Sequence, residues 1–169
     1  MPSGNIYLAR ECASTGGFYT IGNEIFYRIK NQDVLEAACG RAEFAICAST
    51  YAKSVHCIDL TDSRLLPEAS EHTNLFFQRM DAAKMDYPSA SFDTVVLYNT
   101  IAHLGPALEQ VVEECLRVLR SGGTLLIISS FKMDKNVIRE ELIPLLKRKK
   151  IEWKDGEISA FYYMAVISC

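Results

Sequence analysis

Val34–Asp59, VLEAACGRAEFAICASTYAKSVHCID, constrains the fold of this chain more than any other stretch. Val34 and Leu35 are strand residues, and Glu36 stands where that strand runs out. Ala37-Ala38-Cys39-Gly40 is small enough for a sharp turn that brings backbone N–H groups close to a ligand. A helix from about Arg41 carries small apolar residues at helical spacing (Ala42, Ala45, Ile46, Ala48), suited to lying close on a sheet. Val55–Ile58 is a second strand. Asp59 ends it, 19 residues after Gly40, near the distance at which a carboxylate meets ribose hydroxyls. The stretch is one βαβ unit, and it predicts an adenosine-type ligand lying across the strand ends.

At 169 residues, with 49% apolar and 23% charged residues, the chain matches an ordinary soluble single domain, with residues 1–31 as an N-terminal segment and 33–169 as the core. No apolar run approaches a membrane span and no charged-then-apolar leader opens the sequence. A net charge of −3 argues against generic nucleic-acid binding, which needs a basic face. Cysteines 12, 39, 47, 57, 115 and 169 form no CxxC pair, so no metal site is expected. Cys47, Cys57 and Cys115 sit on apolar faces as free thiols, consistent with a reducing cytoplasm.

Ahead of the βαβ unit, Phe18, Ile21, Ile25, Phe26 and Ile29 share one face of a predicted helix, which either lies across the ligand end of the sheet or packs against its edge. After Asp59, Pro67 forbids an undisturbed helix and predicts a turn with a short helix near it. Leu75–Arg79 is the third strand and Phe92–Tyr98 the fourth, a nearly continuous β-branched and aromatic run of the kind buried on both faces in parallel sheets. Pro106–Leu119 is the clearest helix, with one apolar stripe. Ser121-Gly122-Gly123 stops it, and Thr124–Ser129 is the next strand. Asp134 caps a further helix, kinked at Pro144. Ile151–Lys154 and Ile158–Ile167 flank Asp155-Gly156, a hairpin signal. Strand and helix thus alternate five times before a terminal hairpin. The pattern predicts a three-layer α/β/α Rossmann-like sandwich, its sheet parallel except near the last strand, with the ligand crevice at the carboxyl ends of the central strands.

In that order the motifs resemble those of the class I S-adenosylmethionine-dependent methyltransferases, most like the small-molecule, ubiquinone-biosynthesis-like branch. The resemblance covers about residues 33–129 and implies strand order 3-2-1-4-5-7-6. VLEAACGRA is similar to the first motif, and implies that Glu36 and the Ala38-Cys39-Gly40-Arg41 turn hold the cofactor's methionine end. IDLTDSRLL is similar to the second, with Asp59 on the ribose and Leu60 against the adenine. MDAAKMDYPSASFDTVV is similar to the third and fourth, with Asp81-Ala82 at the adenine amino group. ECLRVLRSGGTLLII is similar to the helix-turn-strand that follows. Where the family has glycines, this chain has Ala38, Gly40 and Ala42, and the alanine at 42 puts a methyl near the methionine moiety.

Tyr98 and Asn99 follow the fourth strand, where the reactive methyl is expected, and His103 comes four residues later. Imidazole suits a general base; His103 equally suits capping the next helix or packing beneath it. Lys147–Lys150 ends a helix, where cations favour the macrodipole. The leading expectation is a cytoplasmic methyltransferase using S-adenosylmethionine on an unidentified, small-molecule acceptor, its shallow site completed by a bulky acceptor, a partner protein or a second copy of the chain. A non-catalytic methyltransferase-like binding subunit is the alternative, and a nicotinamide-dependent oxidoreductase ranks last because ACGRAEFA lacks the GxGxxG spacing.

Overall fold

The computed structural model describes residues 25–158 and 161–168. Seven strands form one sheet: β1 (Asp33–Ala37), β2 (Ser54–Asp59), β3 (Leu75–Arg79), β4 (Phe92–Tyr98), β5 (Leu119–Ser129), β6 (Trp153–Ile158) and β7 (Phe161–Ile167), in the order β3-β2-β1-β4-β5-β7-β6. The pairs from β3 across to β5 are parallel, while β7 runs antiparallel to both β5 and β6. Order and reversal are those expected.

Successive residues of the central strands face opposite layers. Leu35 and Val95 join one core with Val111, Val112 and Leu142; Val34 and Val96 join the other with Phe44, Ala45 and Ile29. That is why β1 and β4 carry consecutive apolar residues rather than an alternation. Helix α3 (Leu108–Val118) and the helices α4 (Lys132–Val137) and α5 (Ile143–Arg148) cover the first face, and α1 (Glu43–Ala48) the second. A short α2 (Ile101–Leu104) follows β4 directly. On the second face residues 25–29 are helical. Thr94 donates to the Arg28 carbonyl, and the Arg28 guanidinium reaches Thr124 at 2.5 Å. This part of the N-terminal segment therefore packs by Thr94, near the start of β4, and its partner Thr124 in the middle of β5, rather than across the strands' carboxyl ends; Phe18 and Ile21 lie outside the described residues.

Several local expectations are corrected. The Asp155-Gly156 pair lies inside β6, opposite Met164 and Tyr163, and is not a turn. Gly156 is required instead because a Cβ there would meet the Tyr163 ring at 2.8 Å. Helix α3 begins at Leu108, behind a 3-10 turn at Gly105–Ala107, and gives way at Val118 to a strand that already includes Ser121-Gly122-Gly123. Gly123 sits where a Cβ would come within 2.8 and 2.9 Å of the Arg120 and Asp93 carbonyls, at the irregular register between β4 and β5. At Pro144, where a kink is expected, a π-helical turn at Ile138–Leu142 runs directly into the helix that carries the proline in its first turn. Asp134 does not cap the helix that contains it, as the site makes clear.

Candidate functional site

The turn after β1 is shaped by three left-handed residues, Ala38 (φ 53°), Gly40 (φ 54°) and Ala42 (φ 61°). These are the positions where the family pattern has glycine, and two of them carry a Cβ at a cost of roughly 1–2 kcal/mol each. Arg41 and Ala42 consequently precede the helix, and α1 starts at Glu43 with no capping side chain from Ala42. Glu36 supplies the cap from the strand: its Oε2 accepts from Ala45 N at 2.8 Å. The carboxyl is 1% exposed and its Oε1 has no partner. Burial, with Cys57 beside it, holds this carboxyl well above the ordinary carboxylate range. Cys39 is also buried, and its hydrogen bond with Cys57, then burial, hold its thiol far above the usual range. Neither group is a ready nucleophile.

The amides of the turn are largely spent within the protein. Gly40 N donates to Asp59 Oδ2 at 2.7 Å, Cys39 N to the Ile58 carbonyl at 2.9 Å and Ala42 N to the Cys39 carbonyl at 2.8 Å. The turn is thus set by β2 rather than left with these donors aimed at a ligand, as the sequence alone suggested. Asp59 keeps its second oxygen. The guanidinium of Arg64 lies over the glycine, its Nη2 3.2 Å from where a Gly40 Cβ would stand.

These groups open onto a cavity of about 560 Å³ at the carboxyl ends of the central strands, within the roughly 300–1,000 Å³ usual for small-molecule pockets. Ala38, Cys39, Gly40 and Arg41 form one wall, with Asp59, Leu60, Asp81 and Ala82 beyond them. Tyr98, Asn99, Thr100 and His103 line the other side. Every predicted site residue except Glu36 is brought to this one space; Glu36 lies behind the turn.

Residues not singled out from the sequence hold the loops in place. On α3, Glu114 Oε2 accepts from Met85 N at 2.7 Å, and Arg117 donates to the Met85 and Tyr87 carbonyls at 3.0 and 2.9 Å. A Glu114–Arg117 ion pair at 2.7 Å joins them, so α3 anchors the loop that carries Asp81-Ala82. The three-residue spacing in ECLR was the available signal. Across the cavity, buried Asp134 accepts from Ala102 N at 2.8 Å and from Ser129 Oγ at 3.1 Å. It therefore caps α2, the helix bearing His103. Ser130 N donates to Asn99 Oδ1 at 2.7 Å. His103 itself is exposed and lines the cavity, so it does not pack beneath the next helix.

The profile of the methyltransferase domain family matches residues 35–127, more than half of the chain. The chain belongs to the S-adenosylmethionine-dependent methyltransferases. A Mycolicibacterium smegmatis protein described as a probable S-adenosylmethionine-dependent methyltransferase is 33% identical over 101 residues, 60% of this chain and 39% of that protein. This methyltransferase domain thus covers about two fifths of that relative's length. A phosphatidylethanolamine N-methyltransferase of Cereibacter sphaeroides is 41% identical over 58 residues, 34% of this chain and 28% of that one. The crystal structure of a methyltransferase from Aquifex aeolicus superposes with a TM-score of 0.73 at 16% identity, over 89% of each chain. The matched residues contain the glycine turn, Asp59, Asp81 and Asn99, so the family assignment and the cavity concern the same part of the methyltransferase domain.

Proposed function

We propose that this chain binds S-adenosylmethionine along the cavity and transfers its methyl group to a small-molecule acceptor. The observation that carries this reading is the convergence of Gly40, Asp59, Asp81 and Asn99 on one space of suitable size, although they come from four different strand ends. Asp59, fixed by the Gly40 amide, would turn its remaining oxygen to the ribose hydroxyls. Asp81, whose Oδ1 accepts from Ala83 N at 2.8 Å, has its other oxygen available for the adenine amino group. Leu60, 73% exposed, offers an apolar face that the adenine would cover. Arg64, which has no ionic partner among the described residues, would meet the methionine carboxylate over Gly40. Glu36, whose Oε1 has no partner behind the turn, would receive the methionine ammonium if the turn opens to it.

When bound, S-adenosylmethionine supplies a methyl group already activated on a sulfonium. The protein's task is then to align the acceptor and exclude water. Tyr98, Asn99 and His103 are the groups that would do so. The free thiols Cys39, Cys57 and Cys115 support placing the protein in a reducing cytoplasm. The name of the Cereibacter relative points to an amine acceptor, but this chain covers too little of that protein to transfer it.

Titration calorimetry with S-adenosylmethionine and S-adenosylhomocysteine tests the reading. One site for each is expected. No binding of either up to about 1 mM, the upper end of ordinary enzyme KM values, would refute it and favour a subunit that has kept only the fold.

A further inference from the structure

The orientation of one side-chain amide narrows the class of acceptor. Asn99 follows β4 in a left-handed conformation (φ 49°), which asparagine tolerates better than most residues. The side-chain atom facing Ser130 lies 2.7 Å from the Ser130 backbone nitrogen and 3.2 Å from its hydroxyl. A backbone N–H can only donate, so that atom has to be the carboxamide oxygen. The amide is not free to flip, and its NH2 group is left for the cavity that Asn99 lines. On the acceptor side, therefore, the Asn99 side chain offers donors and no acceptor.

The cavity is lined further by His103, Leu104, Ala107, Val111 and Phe131. Phe131 is 56% exposed at the rim. Of the carboxylates lining the cavity, Asp59 and Asp81 stand by the strand ends assigned above to the cofactor, and Glu43, at the start of α1, is paired with Arg41 at 3.3 Å. Asp134, the carboxylate nearest in sequence to Phe131 on this side, is buried and committed to Ala102 and Ser129. An ammonium brought here would set N–H groups against the N–H groups of Asn99. A neutral amine cannot use its lone pair both to accept from Asn99 and to attack carbon.

We infer that the acceptor is a carboxylic acid with an apolar body, bound as its carboxylate. One oxygen accepts from the Asn99 NH2 while the apolar body lies against Leu104 and Phe131. The other oxygen donates a lone pair to the methyl carbon; the new O–CH3 bond forms as the S–CH3 bond breaks with its electron pair retained by sulfur. A carboxylate and a sulfonium become a methyl ester and a neutral thioether. No proton moves, so no general base is needed, in keeping with a His103 side chain that no described residue orients.

This inference rests on the cofactor reading above, and the experiment separates the two. The full-length chain is saturated with S-adenosylhomocysteine, then titrated with 4-phenylbutyrate and with 4-phenylbutylamine, which share one apolar body. The acid is expected to bind at least tenfold tighter. Asn99→Asp keeps an oxygen for Ser130 and the same shape but replaces the NH2 by an acceptor. It should weaken the acid at least tenfold and improve the amine, with the circular dichroism unchanged. Equal or tighter binding of the amine to the unmodified protein, or no binding of either probe to the S-adenosylhomocysteine complex, overturns the acid acceptor and leaves the cofactor reading standing. Failure to bind S-adenosylhomocysteine overturns both.

Discussion

Asp59 and Gly40, 19 residues apart, are joined by a 2.7 Å hydrogen bond from the Gly40 amide to Asp59 Oδ2. The carboxylate at the end of β2 thus sets the turn after β1 before any ligand arrives, and its remaining oxygen is presented from a fixed base.

Two substitutions at Asp59 separate these roles. Asp59→Ala removes both the turn's acceptor and the ribose contacts. Each charge-assisted hydrogen bond contributes about 1.5–3 kcal/mol, so S-adenosylhomocysteine affinity should fall at least tenfold and the urea midpoint should drop as well. Asp59→Asn retains an oxygen for Gly40. It should keep the midpoint near that of the unmodified protein while still losing affinity. Loss of affinity without loss of stability in Asp59→Ala would mean that the Gly40 bond is inessential to the turn.

The two left-handed alanines should respond differently to glycine. Both gain roughly 1–2 kcal/mol of strain relief and lose about 0.4–1 kcal/mol to the freer unfolded chain. Ala42 is fully buried, so its methyl also contributes about 0.8 kcal/mol, whereas Ala38 is only half-buried at the cavity wall. Ala38→Gly is expected to raise stability, and Ala42→Gly to leave it nearly unchanged. Denaturant unfolding of the pair decides; a large destabilisation by both would show that these alanines are not strained.

Much of this was legible in the sequence. Strand β4 stands where its apolar run placed it, because a strand buried on both faces leaves no ambiguity of period, and the mostly exposed edge strand β3 also stands at the predicted Leu75–Arg79. Asp59, Asp81 and Asn99 were legible because a parallel sheet sends every strand end to the same edge. What escaped was set by tertiary contact. Asp155-Gly156 has turn composition but lies under the Tyr163 ring. Asp134 resembles the cap of its own helix but reaches Ala102 of another. The Asn99–Ser130 bond joins residues 31 apart in sequence, and no local pattern announces it.

Glu36 predicts a pH dependence. Its folded-state pKa is raised above the ordinary value of 4.5 by burial, so the folded chain holds this proton more tightly than the unfolded chain does. The stabilising contribution is complete below about 4.5 and is lost as the pH rises towards the folded-state value. Glu36→Gln can keep the Ala45 bond without a charge to desolvate. Relative to the unmodified protein it should therefore gain stability as the pH is raised from 4.5 to neutrality. Parallel stability curves would show that Glu36 is not the source.

Asp134 should matter more to stability than its place on a short helix suggests. Asp134→Ala leaves the half-buried Ala102 N–H and the buried Ser129 hydroxyl without their acceptor, at about 1–3 kcal/mol for an unsatisfied buried group. Asp134→Asn, which still offers an oxygen to Ala102, should lose clearly less. Equal losses in urea unfolding would indicate that the capping bond to α2 contributes little.

In the reading proposed above, one small molecule lies across the ends of β1, β2, β3 and β4. Backbone amide NMR of the full chain titrated with S-adenosylhomocysteine tests it directly. The Gly40, Leu60, Ala82 and Asn99 amides are expected to shift together and saturate at one equivalent, while Asp33 and Ser54, at the opposite ends of β1 and β2, stay in place. Unmoved resonances at Gly40 and Leu60 under excess ligand, or shifts confined to another part of the sheet, would contradict it.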